Sequence, residues 1–169
     1  MKQDVMLLAI DVGNTNVTLG VFDGETLTQS WRLASLKERT ADELGILVSD
    51  LFQARGLDKA SIGGVVVASV VPALTGPVSE MIARYFDREV VVVDPAADTG
   101  MPVRYDQPDE VGADRLVNGI AAYERFGRMQ GIPVIIVDFG TATTFDCISA
   151  RGEYLGGVIC LGVQISADA

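Results

Sequence analysis

The sequence predicts an α/β protein of two half-domains that are related by an internal repeat, with the second half-domain incomplete. Three observations lead to this prediction. Segments with strand and helix periodicity alternate over residues 6–94. A strand, an acid, a glycine turn and a second strand occur at residues 7–24 and again at residues 134–155. Hydrophobic residues make up 49% of the 169-residue chain, which is enough for a full core.

The two copies of the repeat align by eye. Ile10 to Gly13 falls on Val137 to Gly140, and Asn14 to Asn16 falls on Thr141 to Thr143. Both copies continue as a strand and turn back at a Gly-Glu step, with one extra residue in the later copy. We therefore expect two related half-domains that face each other. Each would offer one phosphate-binding turn and one carboxylate to a nucleotide held between them.

The first half-domain has the predicted order βββαβαβ, which indicates a mixed sheet with a helix layer on each face. A helix over residues 40–55 is the clearest element, because Thr40 and Glu43 form a capping-box pattern and Gly56 is a stop signal. The other predicted elements are a three-strand meander over 6–33, a buried strand over 62–71 that Pro72 ends, a helix over 73–86 and a buried strand over 89–94.

The second half-domain follows a long loop over residues 95–112, and long ordered loops tend to be functional. A helix over 114–126 and three strands over 134–139, 143–149 and 154–160 are predicted. We place the domain boundary so that residues 6–112 form the first half-domain and residues 113–169 the start of the second. Because the helix and strands that continue the first copy are missing from the second, we expect a truncated half-domain with an exposed apolar sheet face.

Composition and charge exclude several classes of function. The formal net charge is −10 and the pI is about 4.3, which argues against a nucleic-acid backbone or an anionic membrane as partner. With no histidine, a zinc site or a His-based triad is ruled out. No membrane span or signal peptide is indicated, and two cysteines, expected to be buried and inert, suit a reducing compartment. We expect a cytoplasmic protein.

The first turn of the repeat suits phosphate. Gly13 lets a ligand approach backbone N–H groups closely, and Asp11 beside it can hold a metal ion that bridges phosphate oxygens. Taken alone, the same stretch is equally compatible with an ordinary β-hairpin. The second copy, with Asp138 in the place of Asp11, favours the phosphate-binding interpretation.

Four motifs together resemble those of type III pantothenate kinases. They are DVGNTN at 11–16, GADR at 112–115, DFGTATTFD at 138–146 and GGVICLG at 156–162. The family belongs to the superfamily of acetate and sugar kinases, Hsp70 and actin, so the resemblance implies ribonuclease H-like half-domains in an actin-like ATPase and kinase architecture. One departure is Leu161, where the family usually has proline. The other is the missing C-terminal part, which in the family supplies a substrate-contacting Thr and much of the dimer contact.

The resemblance implies ATP-dependent phosphorylation of pantothenate to 4'-phosphopantothenate, the first step of coenzyme A biosynthesis. Asp11 would hold Mg²⁺, Asp138 would bind a monovalent cation, K⁺ or ammonium, and Thr141 would contact the nucleotide. The full-length enzyme would be a homodimer with a small-molecule substrate. The implied phosphate-binding residues are Asp11, Val12, Gly13, Asn14, Thr15, Asn16, Val17 and Thr18.

The resemblance also implies the substrate-binding residues. Asp114 matches the catalytic base, and Arg115 suits the pantothenate carboxylate because a guanidinium binds carboxylates bidentately. Gly112 and Ala113 leave room for the substrate, and Tyr105 matches a substrate contact.

Each of these residues also has a purely structural interpretation. Asp114 could be only an N-cap, and Tyr105 could merely pack in its loop. Arg115 could be a solvated residue that pairs with Asp109 or Glu110.

Two other functions stay open at this point. A nucleotide-binding regulatory protein could use the same cleft as a switch without turnover. It would not need an acid and an arginine presented to a second ligand, as GADR provides. A kinase acting on a sugar or on acetate is the third possibility, and fold analogy alone does not exclude it.

Overall fold

The computed structural model describes residues 5–97 and 99–168, without the side chain of Asp109. Contacts divide the chain into two compact units, residues 1–93 and residues 94–169, each with its own hydrophobic core. The loop after residue 93 therefore belongs with the second unit. The boundary predicted after residue 112 follows the internal repeat rather than contacts, and it stays a prediction.

The first unit is built on a five-stranded mixed sheet. Its strands are β1 (Met6–Val12), β2 (Asn16–Asp23), β3 (Thr26–Ala34), β4 (Ile62–Ser69) and β5 (Val90–Val92). The order is β3-β2-β1-β4-β5. The meander β1-β2-β3 is antiparallel, whereas β4 pairs parallel with both β1 and β5. The mixed α/β sheet predicted from the sequence is confirmed.

Two helices complete this unit, α1 (Ala41–Ala54) and α2 (Pro72–Phe86). The capping box is present: Glu43 N donates to Thr40 Oγ1, and Thr40 N donates to Glu43 Oε2 at 2.8 Å. Pro72 occupies the first turn of α2, where its missing N–H costs no helical hydrogen bond. The helix α1 therefore begins where its capping box predicts, and α2 begins one residue before the predicted start at residue 73.

Both helices cover the same face of the sheet. The buried strand residues alternate in phase, as in Leu8, Ile10 and Val12, and they form one cluster with the apolar stripes of α1 and α2. Among the described residues of this unit, the expectation of a helix layer on each face of the sheet is therefore wrong.

The expectation that β5 is buried is also wrong. Val91 is 68% exposed, because β5 is an edge strand.

The second unit contains α3 (Ala113–Ala122), which continues as a π-helical turn over Tyr123–Gly127. An antiparallel sheet follows, in the order β6 (Val134–Phe139), β7 (Ala142–Ile148) and β8 (Tyr154–Leu161). The strand predictions are confirmed to within one residue. A short helix, α4 (Val163–Ala167), was not predicted.

One face of this second sheet is open. The apolar side chains of Ile135, Phe139 and Val158 share it, and Phe139 is 72% exposed. The exposed apolar face expected from the sequence is therefore present among the described residues of this unit. Cys160 is also exposed and Cys147 is only half-buried, so the prediction of two buried thiols is wrong.

The two meanders share their pairing but differ in turn length. Asp11 lies opposite Thr18 across the first hairpin, and Asp138 lies opposite Thr144 across the second. The first turn is closed by Gly13 N donating to Asn16 O, and the second, one residue shorter, by Gly140 N donating to Ala142 O, each at 3.0 Å. The two copies thus share the same strand topology. Because the second turn is one residue shorter, the alignment without gaps is correct only before the turn.

The longest described helix, α2, has 15 residues. Within residues 5–97 and 99–168, none of the helices is long and apolar enough to cross a bilayer.

Candidate active-site residues

The first turn connects β1 to β2 and carries the predicted phosphate-binding residues. Val12 and Val17 point into the core, while Asp11, Asn14 and Thr15 are exposed. The alternation of the strand thus buries the apolar residues of the motif and presents the polar ones. The turn therefore offers exposed polar side chains and backbone on a rigid sheet, as a phosphate site requires.

Ser35, which follows β3, braces this turn. Its hydroxyl donates to Gly13 O at 2.6 Å, and its backbone N–H donates to Thr15 O at 3.0 Å. The carbonyl groups of Gly13 and Thr15 are thereby both held by Ser35. Sequence reasoning missed Ser35, because the contact depends on the register between β2 and β3.

Asp114 lies in the first turn of α3, whose N-cap is Gly112 rather than Asp114. The N-cap interpretation of Asp114 is therefore wrong. Its Oδ1 accepts a hydrogen bond from Arg115 N at 2.7 Å, and the side chain is half-buried. A carboxylate at a helix N-terminus is stabilised by the helix dipole. One carboxylate oxygen of Asp114 is thus held by the backbone of α3, and the side chain remains partly accessible.

Arg115 is paired with Asp146 of β7. Its Nε lies 2.8 Å and its Nη2 2.6 Å from Asp146 Oδ1. Burial disfavours the charged guanidinium, but the hydrogen bond and the charge of Asp146 outweigh this and raise the pKa of Arg115. The solvated interpretation of Arg115 is wrong, since its side chain is 14% exposed and its partner is Asp146.

Tyr154 completes this cluster at the start of β8. Its hydroxyl donates to Asp146 Oδ1, and its ring belongs to the core of the second unit. Burial, together with the hydrogen bond to Asp146, raises the pKa of Tyr154 well above its ordinary value. The phenol therefore stays protonated and acts as a donor near neutral pH.

Tyr105 sits in a loop that is tied to β8. Arg104 N donates to Tyr154 O at 2.8 Å, and Tyr154 N donates to Pro102 O at 2.9 Å. The Tyr105 ring packs against Gly156, whose φ of 121° and missing Cβ leave room for it. Tyr105 is 39% exposed, so it is both packed and accessible.

The second turn carries Asp138 and Thr141, and both are exposed. Asp138 Oδ2 accepts a hydrogen bond from Asn118 Nδ2 at 3.3 Å. Asn118 stands four residues after Asp114, so the two share one face of α3. Within the second unit, Asn118 contacts Asp138, and Asp114 lies one helical turn before Asn118 on the same face of α3.

Within the described chain, no group of three or more Asp, Glu, Cys or His side chains could enclose a metal ion. Mg²⁺ in nucleotide sites takes one or two carboxylates and completes its shell with water and substrate phosphates. A single exposed carboxylate such as Asp11 fits that mode of binding.

The family model described as type III pantothenate kinase matches residues 7–169. This chain belongs to the type III pantothenate kinase family. Relatives so named are 57% identical in Anaeromyxobacter sp. (strain K), 54% in Moorella thermoacetica and 51% in Geobacter sulfurreducens. Each match covers 97% of this chain and 63% of the relative. The chain therefore spans less than two thirds of the length of these family members.

Solved structures with the same fold are much more distant in sequence. A reductive activator for a corrinoid, iron-sulfur protein has a TM-score of 0.56 at 16% identity, over 89% of this chain and 30% of that one. A putative 2-dehydro-3-deoxygalactonokinase from Sinorhizobium meliloti has a TM-score of 0.55 at 14% identity, over 90% and 52%. These likenesses confirm the predicted fold class, in which this family shares its architecture with sugar kinases.

Proposed function

We propose that the complete gene product carrying this chain transfers phosphate from ATP to the terminal hydroxyl of pantothenate, the first step of coenzyme A biosynthesis. The observation that carries the proposal is the family match over residues 7–169. The neighbouring Asp114 and Arg115 in the first turn of α3 agree with it. An acid and a guanidinium side by side suit a substrate that is both an alcohol and a carboxylate.

On the acceptor side, Asp114 is the general base. Phosphoryl transfer asks mainly for in-line positioning, so a carboxylate that accepts the hydroxyl proton late in the step needs geometry more than a raised pKa. Arg115 binds the substrate carboxylate, and Tyr105, Gly112 and Ala113 line the same site. The half-buried position of Asp114 supports this role, because the carboxylate is held without being sealed off.

On the nucleotide side, the turn of residues 11–18 binds the phosphates of ATP through backbone N–H groups, and Thr141 is a second nucleotide contact. Asp11 holds Mg²⁺, which supplies positive charge to the phosphate oxygens when bound. Asp138 binds the monovalent cation, K⁺ or ammonium, with Asn118 fixing one of its oxygens. The net charge of −10 supports this assignment, because bound cations would supply the positive charge for the phosphates that the side chains of the chain lack.

The proposed setting is the cytoplasm, and the proposed assembly is a homodimer. Two free cysteines, one of them exposed, support a reducing compartment. The homodimer rests on the family resemblance. The acidic charge supports a small-molecule partner and argues against nucleic acid or an anionic membrane.

The test is a kinase assay of the complete gene product with ATP, Mg²⁺ and K⁺, in which 4'-phosphopantothenate is detected by mass spectrometry. Pantothenate should be phosphorylated, and acetate and hexoses should not. Binding of ATP with no turnover of pantothenate would instead support the regulatory alternative. The three sequence relatives reported above are all named as kinases, which supports turnover over the regulatory alternative.

A further inference from the structure

We propose that Asp146 is a positioning residue, which fixes the guanidinium of Arg115 in the orientation that receives the carboxylate of the substrate. The inference rests on the proposed function, because it assigns a task to Arg115. It adds a residue to which neither the motifs nor the relatives attach a role.

The contact geometry fixes the plane of the guanidinium. Nε of Arg115 donates a hydrogen bond to Asp146 Oδ1 at 2.8 Å, and Nη2 lies 2.6 Å from the same oxygen as an ion pair without hydrogen-bond geometry. The guanidinium is rigid and planar, so two fixed nitrogens determine the direction of the third. Nη1 is not part of this pair, and it therefore points along a direction that Asp146 sets.

Asp146 is itself held on both oxygens. Tyr154 donates to Oδ1, and Thr144 Oγ1 donates to Oδ2 at 3.4 Å. The Asp146 side chain is 1% exposed, so its carboxylate has no competing contact with solvent. A buried charge pair gives little net stability but strongly resists a change of partner or geometry. Such a pair is better suited to orienting Arg115 than to stabilising the fold.

Gly157 provides the space for this pair on β8. A Cβ at this position would clash first with the backbone oxygen of Phe145, and it would also lie 2.5 Å from Arg115 Nη2 and 2.9 Å from Asp146 Oδ1. Any larger residue would therefore disturb the pairing of β8 with β7 and crowd the Arg115–Asp146 pair.

A purely structural role for Asp146 predicts a different result from a positioning role. If Asp146 only stabilised the second unit, its replacement would lower the unfolding temperature and leave the KM for pantothenate unchanged. If it orients Arg115, the KM for pantothenate changes selectively. The KM for ATP and kcat serve as internal references, because Arg115 is assigned to the acceptor.

The experiment uses Asp146→Asn in the complete gene product, with steady-state kinetics and thermal unfolding. We expect the KM for pantothenate to rise roughly ten- to a hundredfold, the usual effect of losing a charge-assisted hydrogen bond. The KM for ATP and kcat should stay within about threefold. Glu153→Gln is the matched control: Glu153 is also buried and paired with arginines, Arg104 and Arg151, but it does not touch Arg115.

Tyr154→Phe keeps the test decisive if Asp146→Asn fails to fold. It removes one hydrogen bond to Asp146 Oδ1 and retains the buried ring. We expect a smaller rise in the KM for pantothenate, about threefold to tenfold, without a matching fall in kcat.

The outcomes separate the two proposals. Wild-type turnover of pantothenate with an unchanged pantothenate KM in the folded variants would overturn the positioning role alone. An equal rise in Glu153→Gln would also overturn it, since the effect would then be one of general stability. Absence of turnover in the wild-type protein would overturn the proposed function itself.

Discussion

The side-chain amide of Asn118 donates to the Asp138 carboxylate at 3.3 Å, which joins the middle of α3 to the end of β6. Asp114 lies one helical turn before Asn118 on the same face. The residue assigned to proton transfer and the residue assigned to the monovalent cation are therefore held by one helix. A movement of α3 would disturb both together.

In the complete gene product, replacing Asp114 with Asn should abolish the proposed kinase activity while leaving the fold intact. The general base contributes about a hundredfold or more to the rate, and the amide accepts no proton. Because Gly112 is the N-cap, no helix cap is lost. Thermal unfolding and ATP titration should match the wild type. A variant that loses its fold, or that keeps its kcat, would contradict the assignment.

Replacing Asp138 with Asn should weaken the proposed activation of the complete gene product by K⁺. A neutral amide binds a monovalent cation less well than a carboxylate does, so half-maximal activation should need about tenfold more K⁺ or more. The measurement is initial rate against K⁺ concentration at constant ionic strength. Asn118→Ala serves as the companion variant, with an expected shift in the same direction but smaller. An unchanged K⁺ curve in Asp138→Asn would refute this role.

Removing the hydroxyl of Ser35 should weaken nucleotide binding through the first turn. Ser35→Ala loses the hydrogen bond to Gly13 O, so the turn is held less firmly and the KM for ATP should rise about threefold to tenfold. Ser30→Ala is the matched control, since Ser30 is an exposed serine on β3 within the same hairpin. Equal KM values for ATP in both variants would show that the brace does not matter for binding.

The capping box of α1 should contribute measurably to stability. Thr40→Ala removes the acceptor for Glu43 N, which costs about 1 kcal/mol of free energy of unfolding. Urea denaturation at neutral pH measures this cost. Thr40→Ser keeps the hydroxyl and should lose little. The two variants should differ in midpoint but not in slope, because the exposed surface on unfolding is the same.

Glu153 should make the second unit sensitive to acid. Hydrogen bonds from Arg151, Arg104 and Ser149 lower the pKa of Glu153 below its ordinary value of 4.5. Since the folded pKa is the lower one, this stabilisation is complete above the unfolded pKa and is lost as pH falls through the folded pKa. Thermal unfolding between roughly pH 6 and pH 3 should therefore show a steeper fall for the wild type than for Glu153→Gln. Parallel curves would mean that Glu153 is not coupled to folding.

Local signals predicted most of the fold. The capping box, the Pro72 stop and the apolar alternation of the meanders are each contained within a few residues, and the elements formed where these signals lie. The exposed β5 was not predictable in this way, because its burial depends on its place at the sheet edge rather than on its valines. The packing of both helices on one face of the sheet was likewise not predictable, because it depends on the topology of the sheet rather than on local sequence.

The motifs of the candidate site could be read from the sequence, and their roles stay predictions, whereas the contacts that support them could not be read from it. Asp146 lies 31 residues from Arg115 in sequence, and the pair depends on the packing of α3 against β7. One signal was present: Asp146 is a charged residue in phase with the buried Ile148. Asn118 likewise shares a helix face with Asp114. No local sequence signal indicated Ser35, because its contact with Gly13 depends on how β3 pairs with β2.

Gly156 and Gly157 are adjacent in β8, and a Cβ added at either position would clash with a neighbouring group. A methyl group at the first would clash with the Tyr105 ring, and a methyl group at the second would clash with the backbone oxygen of Phe145 and with Arg115. The two glycines thus leave room for the Tyr105 ring and for the Arg115 guanidinium at adjacent positions of β8. A saturation library across β8 should accordingly show two neighbouring positions at which only the parental residue survives selection.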